Sequence, residues 1–286
     1  MSQTLVQTKN RIKSVDSISK ITKAMKLVST VKFRQQMKKL EGARNFADTL
    51  EDILSYAFLR VDENFKSIYS QEFDSTKKLY ILITSSLGLC GAYNYNLFKL
   101  TDDLFNENDD VIIIGSKGQS HYKKHRFNII DVFGEYNDPS SPELIEKLAN
   151  YISNIYPSGK YKEIDIVYTY YKNSISFNPK IQKVFPISRI EKEEKIREIE
   201  PILEPSPQEV IDMLVPFYIS SIVGARLVEA SVCEQASRRT AMENATDNAE
   251  NLSKELELEY NKARQASITN DIIEVVSASN NVTGGQ

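Results

Sequence analysis

Residues 12–28 read IKSVDSISKITKAMKLV, and their apolar side chains recur every three or four positions. The recurring positions are Ile12, Val15, Ile18, Ile21, Met25 and Val28. Because an α-helix has about 3.6 residues per turn, this spacing places the side chains in one stripe along one helix face. The pattern continues less regularly through Phe33, Met37 and Leu40, and residues 47–57 form a second helical stretch. We therefore predict that the N-terminal segment is helical and amphipathic.

The C-terminal part of the chain carries a similar pattern. Its recurring apolar positions are Met213, Phe217, Val223, Leu227, Val228, Ala245, Ala249, Leu252, Leu256, Ile268, Ile272 and Val275. Neither glycine nor proline occurs between Ala225 and Thr283, and all 9 prolines fall between Pro139 and Pro216. Because these two residue types usually mark turns and helix ends, we predict one uninterrupted helix. Roughly 65 to 70 helical residues would span about 100 Å, which is too long for the interior of one small globule.

The two terminal segments are expected to pair through their apolar stripes as a coiled coil. Their charges are opposite: residues 1–44 hold eleven Lys and Arg against Asp16 and Glu41, whereas residues 225–276 hold ten acidic and six basic residues. Each exposed ion pair contributes only ~0.2–1 kcal/mol, so the apolar seam must supply most of the stability. On charge alone, the basic stretch is equally typical of a solvated face, and it is also compatible with a nucleic-acid-binding helix.

The middle of the chain alternates between strand-like and helix-like segments. The predicted strands are 77–84, 110–115, 128–133, 161–171 and 175–187, and the predicted helices are 93–107, 116–125 and 142–156. The first two strands are short continuous apolar runs, which are typical of strands buried on both faces of a parallel sheet. We predict a Rossmann-like α/β domain with a mainly parallel sheet, inserted between the two terminal helices.

Three features of this middle region resemble chemical sites. The turn Gly88-Leu-Cys-Gly91 follows a strand, but it matches neither phosphate-binding glycine pattern and favours a plain tight turn. Cys90 has no adjacent base in the sequence and is expected to be a buried structural thiol. His121 and His125 have the spacing of helical metal ligands, but the basic residues around them favour a solvated face. We therefore predict no catalytic residue, no cofactor and no metal site.

Composition excludes several classes of protein. The 286 residues carry a net charge of -3 and only two cysteines, Cys90 and Cys233, which removes a disulfide scaffold and indicates a reducing compartment. No stretch approaches the roughly 18 consecutive apolar residues of a membrane span. The first 14 residues lack the apolar core of a secretory signal, although a basic amphipathic start can resemble a transit peptide.

Four stretches make the sequence recognisable. They are ITKAMKLV at 21–28, GLCG at 88–91, TAMENATDN at 240–248 and YNKARQASIT at 260–269. In this order they resemble the gamma subunits of F-type ATP synthases, and the resemblance covers essentially the whole chain. The N- and C-terminal motifs are highly specific, whereas the glycine turn alone would be weak.

The resemblance implies an antiparallel coiled coil of segments 1–60 and 207–277, with an α/β foot domain at 77–190. It implies a non-catalytic central rotor that couples rotation driven by proton flow to ATP synthesis or hydrolysis on a ring of alpha and beta subunits. The epsilon subunit and the membrane c-ring are the other implied partners, and no nucleic acid or small-molecule substrate is expected. The implied location is peripheral, at the cytoplasmic face of a bacterial membrane.

Six residues match family positions that contact the ring. The resemblance implies that Met25 and Lys26 face the lever region of a beta subunit and that Arg238 lies in the same contact zone. It implies that Arg264, Gln265 and Thr269 engage the catch loops of the ring. Helical spacing alone leaves Met25 open as a seam residue, and it leaves the polar side chains of the C-terminal helix open as solvated groups.

The sequence also departs from the family pattern. Ser86 and Leu87 stand where an acidic and a basic residue commonly introduce the glycine turn, and Ala92 replaces a frequent glycine. These changes leave open a rotor of the same plan with another mechanical output. A coiled-coil adaptor that binds nucleic acid is the alternative from another class, followed by an unrelated α/β enzyme. A paired-cysteine insertion is not visible, which disfavours a light-regulated plastid form.

Overall fold

The computed structural model of the chain describes residues 2–61, 67–123, 127–133, 141–173, 176–187 and 202–283. The elements within these ranges are α1 (Ser2–Leu59), β1 (Lys78–Ile83), α2 (Tyr93–Thr101), β2 (Asp110–Ile114), α3 (Ser116–Tyr122), β3 (Asn128–Phe133), α4 (Pro142–Ile155), β4 (Glu163–Tyr171), β5 (Phe177–Phe185) and α5 (Pro207–Thr283). A 3-10 turn, Tyr156–Ser158, follows α4. The expected fold class is confirmed, since two long terminal helices flank a central sheet domain.

The chain divides into two compact units. Unit 1 comprises Met1–Ser29 and Arg239–Gln286, and unit 2 comprises Thr30–Arg238. The division crosses both long helices, so that α1 and α5 each contribute residues to both units.

Unit 2 contains a five-stranded sheet with the strand order β3-β2-β1-β4-β5. The first four strands are parallel, and β5 runs antiparallel to β4 at the edge. β1 and β2 are buried along nearly their whole length, because their aliphatic runs are covered on both faces. The prediction of a mainly parallel sheet is therefore confirmed.

Successive side chains of β1 enter different cores on the two faces of the sheet. Leu79, Ile81 and Ile83 pack in a core that also includes residues of α1, α4 and α5. Tyr80 and Leu82 pack in a second core with residues of α2 and α3. This alternation follows from the two-residue period of a strand. Helices on both faces of the sheet are typical of a doubly wound α/β domain.

Unit 1 pairs residues of α1 and α5 in an antiparallel arrangement, but the seam differs from the prediction. Its buried positions on α1 are Ser19, Thr22 and Ser29, and those on α5 are Met242, Thr246, Ala249 and Leu256. Three residues of the predicted stripe, Ile18, Ile21 and Val28, are 51%, 59% and 56% exposed. Most of these buried side chains are hydroxyl or methyl groups, joined by Met242 and Leu256, whereas several other large aliphatic side chains are exposed. The prediction that these three residues form the seam is wrong.

Some predicted boundaries also change. The helix expected over 93–107 ends at Thr101, whose hydroxyl bonds back to the carbonyl of Leu97 at 2.9 Å and to the hydroxyl of Tyr122 at 2.5 Å. Residues 47–57 are part of α1 and do not form a separate helix. In the segment expected to be helical over 116–125, the helix ends at Tyr122, and residues 124 and 125 lie outside the described ranges.

One segment of the described chain, Pro207–Val276 within α5, meets a length and composition test for a membrane-crossing helix. Half of its most apolar window is buried inside the protein, and core helices of soluble proteins pass the same test. Ile211, Val215 and Ile219 of this helix are fully buried in the core of unit 2. This burial accounts for the apolar composition.

Candidate functional site

Polar bonds reinforce the small-residue seam of unit 1. The buried hydroxyls of Thr22 and Thr246 are 2.7 Å apart, so that one donates to the other. Each hydroxyl also lies within hydrogen-bonding distance of a carbonyl of its own helix, that of Ser19 at 3.0 Å and that of Met242 at 2.8 Å. A backbone carbonyl within reach satisfies a buried hydroxyl at low cost, so the seam tolerates threonine where a coiled coil usually has leucine.

Ion pairs flank the seam. Lys26 Nζ lies 2.7 Å from Glu243 Oε1, and Lys23 Nζ lies 2.5 Å from Glu250 Oε1. The hydrogen bond from each lysine lowers the pKa of its glutamate partner. These pairs are solvent-exposed and salt screens them, so they favour the antiparallel register and contribute little to stability. The expected opposite charges of the two helices thus meet in these pairs.

Large apolar side chains cover the outer surface of unit 1. On α1 the exposed ones include Val6, Ile18, Ile21, Leu27 and Val28, and on α5 they include Leu252, Leu258, Ile268, Ile272, Ile273, Val275 and Val276. Many exposed large apolar side chains on one part of a protein mark a contact with another protein or a membrane. Near the end of α5, a shallow groove of about 290 Å³ is lined by Ile268, Asp271, Ile272, Val275 and Val276.

Arg264, Gln265 and Thr269 lie beside this groove on α5. All three side chains are exposed, and the Thr269 hydroxyl donates to the Gln265 carbonyl at 2.9 Å. Polar side chains thus stand next to the apolar residue Ile268 on one exposed stretch of helix. This mixture suits a partner that presents both hydrogen-bonding and apolar groups.

Met25 and Lys26 lie at a different level of unit 1. Met25 is half-buried, and Lys26 is opposite Glu243 on α5. Glu243 lies 21 residues before Arg264 in the sequence, which corresponds to about 30 Å along a helix. The structure therefore does not bring Met25 and Lys26 together with Arg264 and Gln265, and the two groups form separate patches.

Arg238 belongs to unit 2 and is only 4% exposed. Its Nη2 atom donates to Glu234 Oε1 at 2.6 Å, to the Leu87 carbonyl at 3.2 Å and to the Gly88 carbonyl at 3.3 Å. The resemblance implies a ring contact for this residue, but the guanidinium is directed into its own chain. Within the described structure it ties α5 to the glycine turn.

The glycine turn is backbone-strained and presents apolar side chains. Leu89 has a φ of 61°, a left-handed conformation that non-glycine residues rarely adopt. Leu87 and Leu89 are 67% and 63% exposed, whereas Cys90, which follows Leu89, is buried. The Ser237 hydroxyl donates to the Cys90 carbonyl at 2.6 Å, so α5 holds the turn at a second point.

These contacts place α5 over the carboxyl ends of β1 and β4. In doubly wound sheets this edge is where ligands bind, beside the strand at which the chain order reverses. Here Ser237 and Arg238 bond to the turn after β1, and Cys233 Sγ donates to the Thr169 carbonyl of β4 at 3.3 Å. The crevice is thus occupied by the chain's own helix.

The remaining candidates from the sequence have structural partners. Burial raises the pKa of both the Cys90 and the Cys233 thiols, so that both are neutral near pH 7. His121 stacks on Phe98, with ring centroids 3.9 Å apart, and its Nε2 lies 3.2 Å from Asp102 Oδ1. His125 lies outside the described residues, and in the described part of the chain no group of His, Cys, Asp and Glu has a metal-binding arrangement.

Comparison with known proteins connects this architecture to a family. The family model described as ATP synthase matches residues 4–282. The ATP synthase gamma chain of Mycoplasma mycoides subsp. mycoides is 37% identical over 278 residues, covering 95% of this chain and 96% of the relative. That of Mesoplasma florum is 37% identical over 278 residues, covering 96% and 98%.

A solved structure supports the same fold. A chain of the Euglena gracilis mitochondrial ATP synthase rotor, determined by cryo-electron microscopy, has a TM-score of 0.69 at 19% identity. The likeness covers 94% of this chain and 100% of that chain. The full-length match to the family model and the level of identity to the bacterial relatives decide the assignment: the chain belongs to the ATP synthase gamma chain family.

Proposed function

We propose that the chain is the non-catalytic central-stalk rotor subunit of an F-type ATP synthase. It couples rotation driven by proton flow to ATP synthesis or hydrolysis on a surrounding ring of alpha and beta subunits. Its other partners are the epsilon subunit and the membrane c-ring. The chain is attached peripherally at the cytoplasmic face of a bacterial membrane and acts on no small-molecule substrate of its own.

The observation that carries this proposal is which side chains unit 1 buries in its seam and which it leaves exposed. Mostly small and hydroxyl-bearing side chains fill its seam, together with Met242 and Leu256, whereas aliphatic side chains such as Ile21, Val28 and Ile272 are more than half exposed. A free helix pair would bury these side chains to remove them from water, at about 25 cal/mol per Å² of apolar surface. An outward apolar surface is expected for a helix pair that works inside a sleeve formed by other subunits.

The mechanism follows from the asymmetry of that surface. Each catalytic site of the ring would meet a different face of the helix pair, and faces that differ in charge and apolarity stabilise different conformations of the site. Rotation then changes which conformation is favoured at each site, which is the differential contact that coupling requires. In this account the chain contributes shape and surface, while the chemistry occurs on the ring.

The proposed contact residues form two patches of unit 1. Arg264, Gln265 and Thr269 form the patch near the end of α5, and Met25 and Lys26 form the patch at the level of Glu243. Lys26 is bonded to Glu243 in this chain, so a ring contact there competes with the internal pair or joins it. Arg238 contributes indirectly, because its buried guanidinium holds the turn that exposes Leu87 and Leu89.

No observation favours the alternative functions. The basic N-terminal helix, which suggested an adaptor for nucleic acid, places two of its lysines in ion pairs with α5. Its full-length relatives are ATP synthase gamma chains. A rotor with a different mechanical output has only the changes at Ser86 and Leu87 in its favour.

The test reconstitutes the alpha and beta subunits with this chain or with the double variant Arg264→Ala plus Gln265→Ala. Both side chains are exposed, so the free energy of unfolding of the isolated chain should change by no more than about 0.5 kcal/mol. ATP turnover or torque of the assembled ring should fall roughly three- to tenfold, as expected if the two side chains together contribute about 1 kcal/mol to the contact. The isolated chain should hydrolyse no ATP.

The matched control is Glu255→Ala plus Glu259→Ala, which changes two exposed polar residues of the same helix. Its turnover should equal that of the wild type. Equal activity of the ring with either double variant would contradict the contact role of Arg264 and Gln265. Robust ATP hydrolysis by the purified chain alone would contradict the non-catalytic role.

A further inference from the structure

Unit 2 contains a buried carboxylate on α5. Glu229 of α5 is fully buried. Its Oε1 atom accepts from Arg44 Nη2 at 2.5 Å and from the backbone N–H of Tyr171 at 3.0 Å. Its Oε2 atom accepts from Arg226 Nη1 at 2.7 Å. One carboxylate thus bonds to residues of α1, α5 and β4.

Both arginines extend the cluster onto the sheet. Arg44 Nη2 also donates to the Tyr171 carbonyl at 3.1 Å, and its guanidinium carbon lies 5.5 Å from the centre of the Tyr170 ring. Arg226 donates through Nε to Gln182 Oε1 of β5, and its guanidinium carbon lies 5.1 Å from the centre of the Tyr168 ring. The cluster therefore connects four elements, α1, α5, β4 and β5.

Stability alone does not account for three charged groups at this position. Glu229 is fully buried, whereas the side chains of Arg44 and Arg226 are 33% and 18% exposed. Desolvation of a buried carboxylate costs about as much as its attraction to cationic partners gains, and well-packed apolar replacements are often neutral or stabilising. Apolar packing, in contrast, is non-directional and tolerates small shifts of one element over another. Charge-assisted hydrogen bonds from planar guanidinium groups fix both distance and angle.

Non-directional apolar packing surrounds these directional bonds. Beside the cluster, Leu40 of α1 packs with Val228 and Val232 of α5, and Phe33 and Met37 lie against them. These contacts include Tyr171 of β4, but they are non-directional. Ser237, Arg238 and Cys233 bond α5 to the turn after β1 and to β4, whereas Glu229 and Arg44 add directional bonds that include α1.

We propose that Glu229, Arg44 and Arg226 form a joint that fixes the orientation of the helix pair to the sheet within unit 2. Through this joint, rotation of either part is transmitted to the other without slip. The inference rests on the proposed rotor function and adds positioning residues to it. The three side chains act through the orientation of the elements that they connect.

The test uses the complete complex in sealed vesicles, with ATP hydrolysis and ATP-driven proton pumping measured on the same preparation. Glu229→Gln removes the charge and retains the size of the side chain. Loss of charge-assisted bonds should raise the population of slipped orientations about tenfold or more. We expect ATP hydrolysis to persist while protons pumped per ATP hydrolysed fall to about half or less.

The control Glu41→Gln makes the same charge change at an exposed position of α1 in the same unit, and its pumping ratio should match the wild type. A purely structural role of Glu229 would reduce the amount of assembled complex and leave the pumping ratio of that complex unchanged, which would overturn the proposal. If Glu229→Gln does not fold, Arg44→Lys and Arg226→Lys retain the charges but lose the fork geometry. Intermediate pumping ratios in these variants support the joint, and wild-type ratios overturn it.

The wild-type complex separates this inference from the proposed function. If the wild-type complex hydrolyses ATP without pumping protons, the proposed rotor function fails. If the wild-type complex pumps protons and the Glu229 and arginine variants pump equally well, the rotor function stands and only the proposed joint is wrong.

Discussion

Replacement of Arg238 by alanine is expected to lower the free energy of unfolding by about 3–5 kcal/mol, because it removes one partner of a buried ion pair. Glu234, whose side chain is 14% exposed, would lose its guanidinium partner, and burial already raises the pKa of this carboxyl. The carbonyls of Leu87 and Gly88 would lose a donor as well. The shift of the denaturation midpoint in urea measures the effect.

The double variant Arg238→Ala plus Glu234→Ala provides the control. Because the uncompensated charge is then absent, it should be more stable than Arg238→Ala alone. Measuring Glu234→Ala as well completes the double-mutant cycle that gives the coupling of the pair. Arg238→Lys should lower the stability by less than Arg238→Ala, since an ammonium retains the charge but cannot reproduce the guanidinium fork. A midpoint for Arg238→Ala within experimental error of the wild type would show that the contacts with the glycine turn contribute nothing.

Gly115→Ala is expected to destabilise unit 2 by at least about 3 kcal/mol through backbone strain and overpacking. Gly115 follows β2 with a φ of 98°, where side chains are rarely tolerated. An added Cβ would lie 2.3 Å from the Thr84 carbonyl oxygen and 2.8 Å from that of Ser85. Neither atom can move without disturbing β1, so we expect poor expression or a much lower unfolding midpoint.

Gly42→Ala is the matched control for this substitution. Gly42 lies in the interior of α1, and an added Cβ meets nothing within 4 Å. Alanine should stabilise the helix by roughly 0.5–1 kcal/mol, because glycine loses more backbone entropy on folding. Equal and small effects of the two substitutions would contradict the tight turn at Gly115.

The sheet domain was predictable because its strands have strong local signals. β1 and β2 are short runs of β-branched and aromatic residues with turn residues after them, and α4 begins at Pro142 with a Ser141 cap that accepts from the Leu144 N–H. The end of α2 at Thr101 was not predictable, because the residues after it are compatible with a helix. The Thr101 hydroxyl bonds to the Leu97 carbonyl of its own helix and to the hydroxyl of Tyr122 on α3, which is distant in the sequence.

The seam of unit 1 was not predictable from apolarity. Ser19 and Thr22 look solvated in the sequence, and their burial depends on partners such as Thr246 that are distant along the chain. The aliphatic stripe with Ile18 and Ile21 gave a clear helical signal but indicated a surface for another subunit instead of the seam. A strict alternation of three and four residues, from Ile12 and Val15 to Ser19 and Thr22, is the signal that marks the seam.

Two functional arrangements in unit 2 depend on tertiary structure. The resemblance implies a ring contact for Arg238, and only the fold reveals that its guanidinium bonds to the turn after β1. Glu229 is one acidic residue among many on α5, and nothing local distinguishes it from an exposed one. Its burial arises because Arg44 and the Tyr171 backbone converge on it from other elements.

Rotation of the chain inside the ring tests the central claim most directly. The native Cys90 and Cys233 thiols are buried with raised pKa values, so a Lys162→Cys variant offers a single reactive position on the exposed surface of unit 2. With the ring fixed to a support and a probe attached at this position, ATP should drive unidirectional stepwise rotation of the probe. A probe that remains stationary relative to a ring that is hydrolysing ATP would contradict the account.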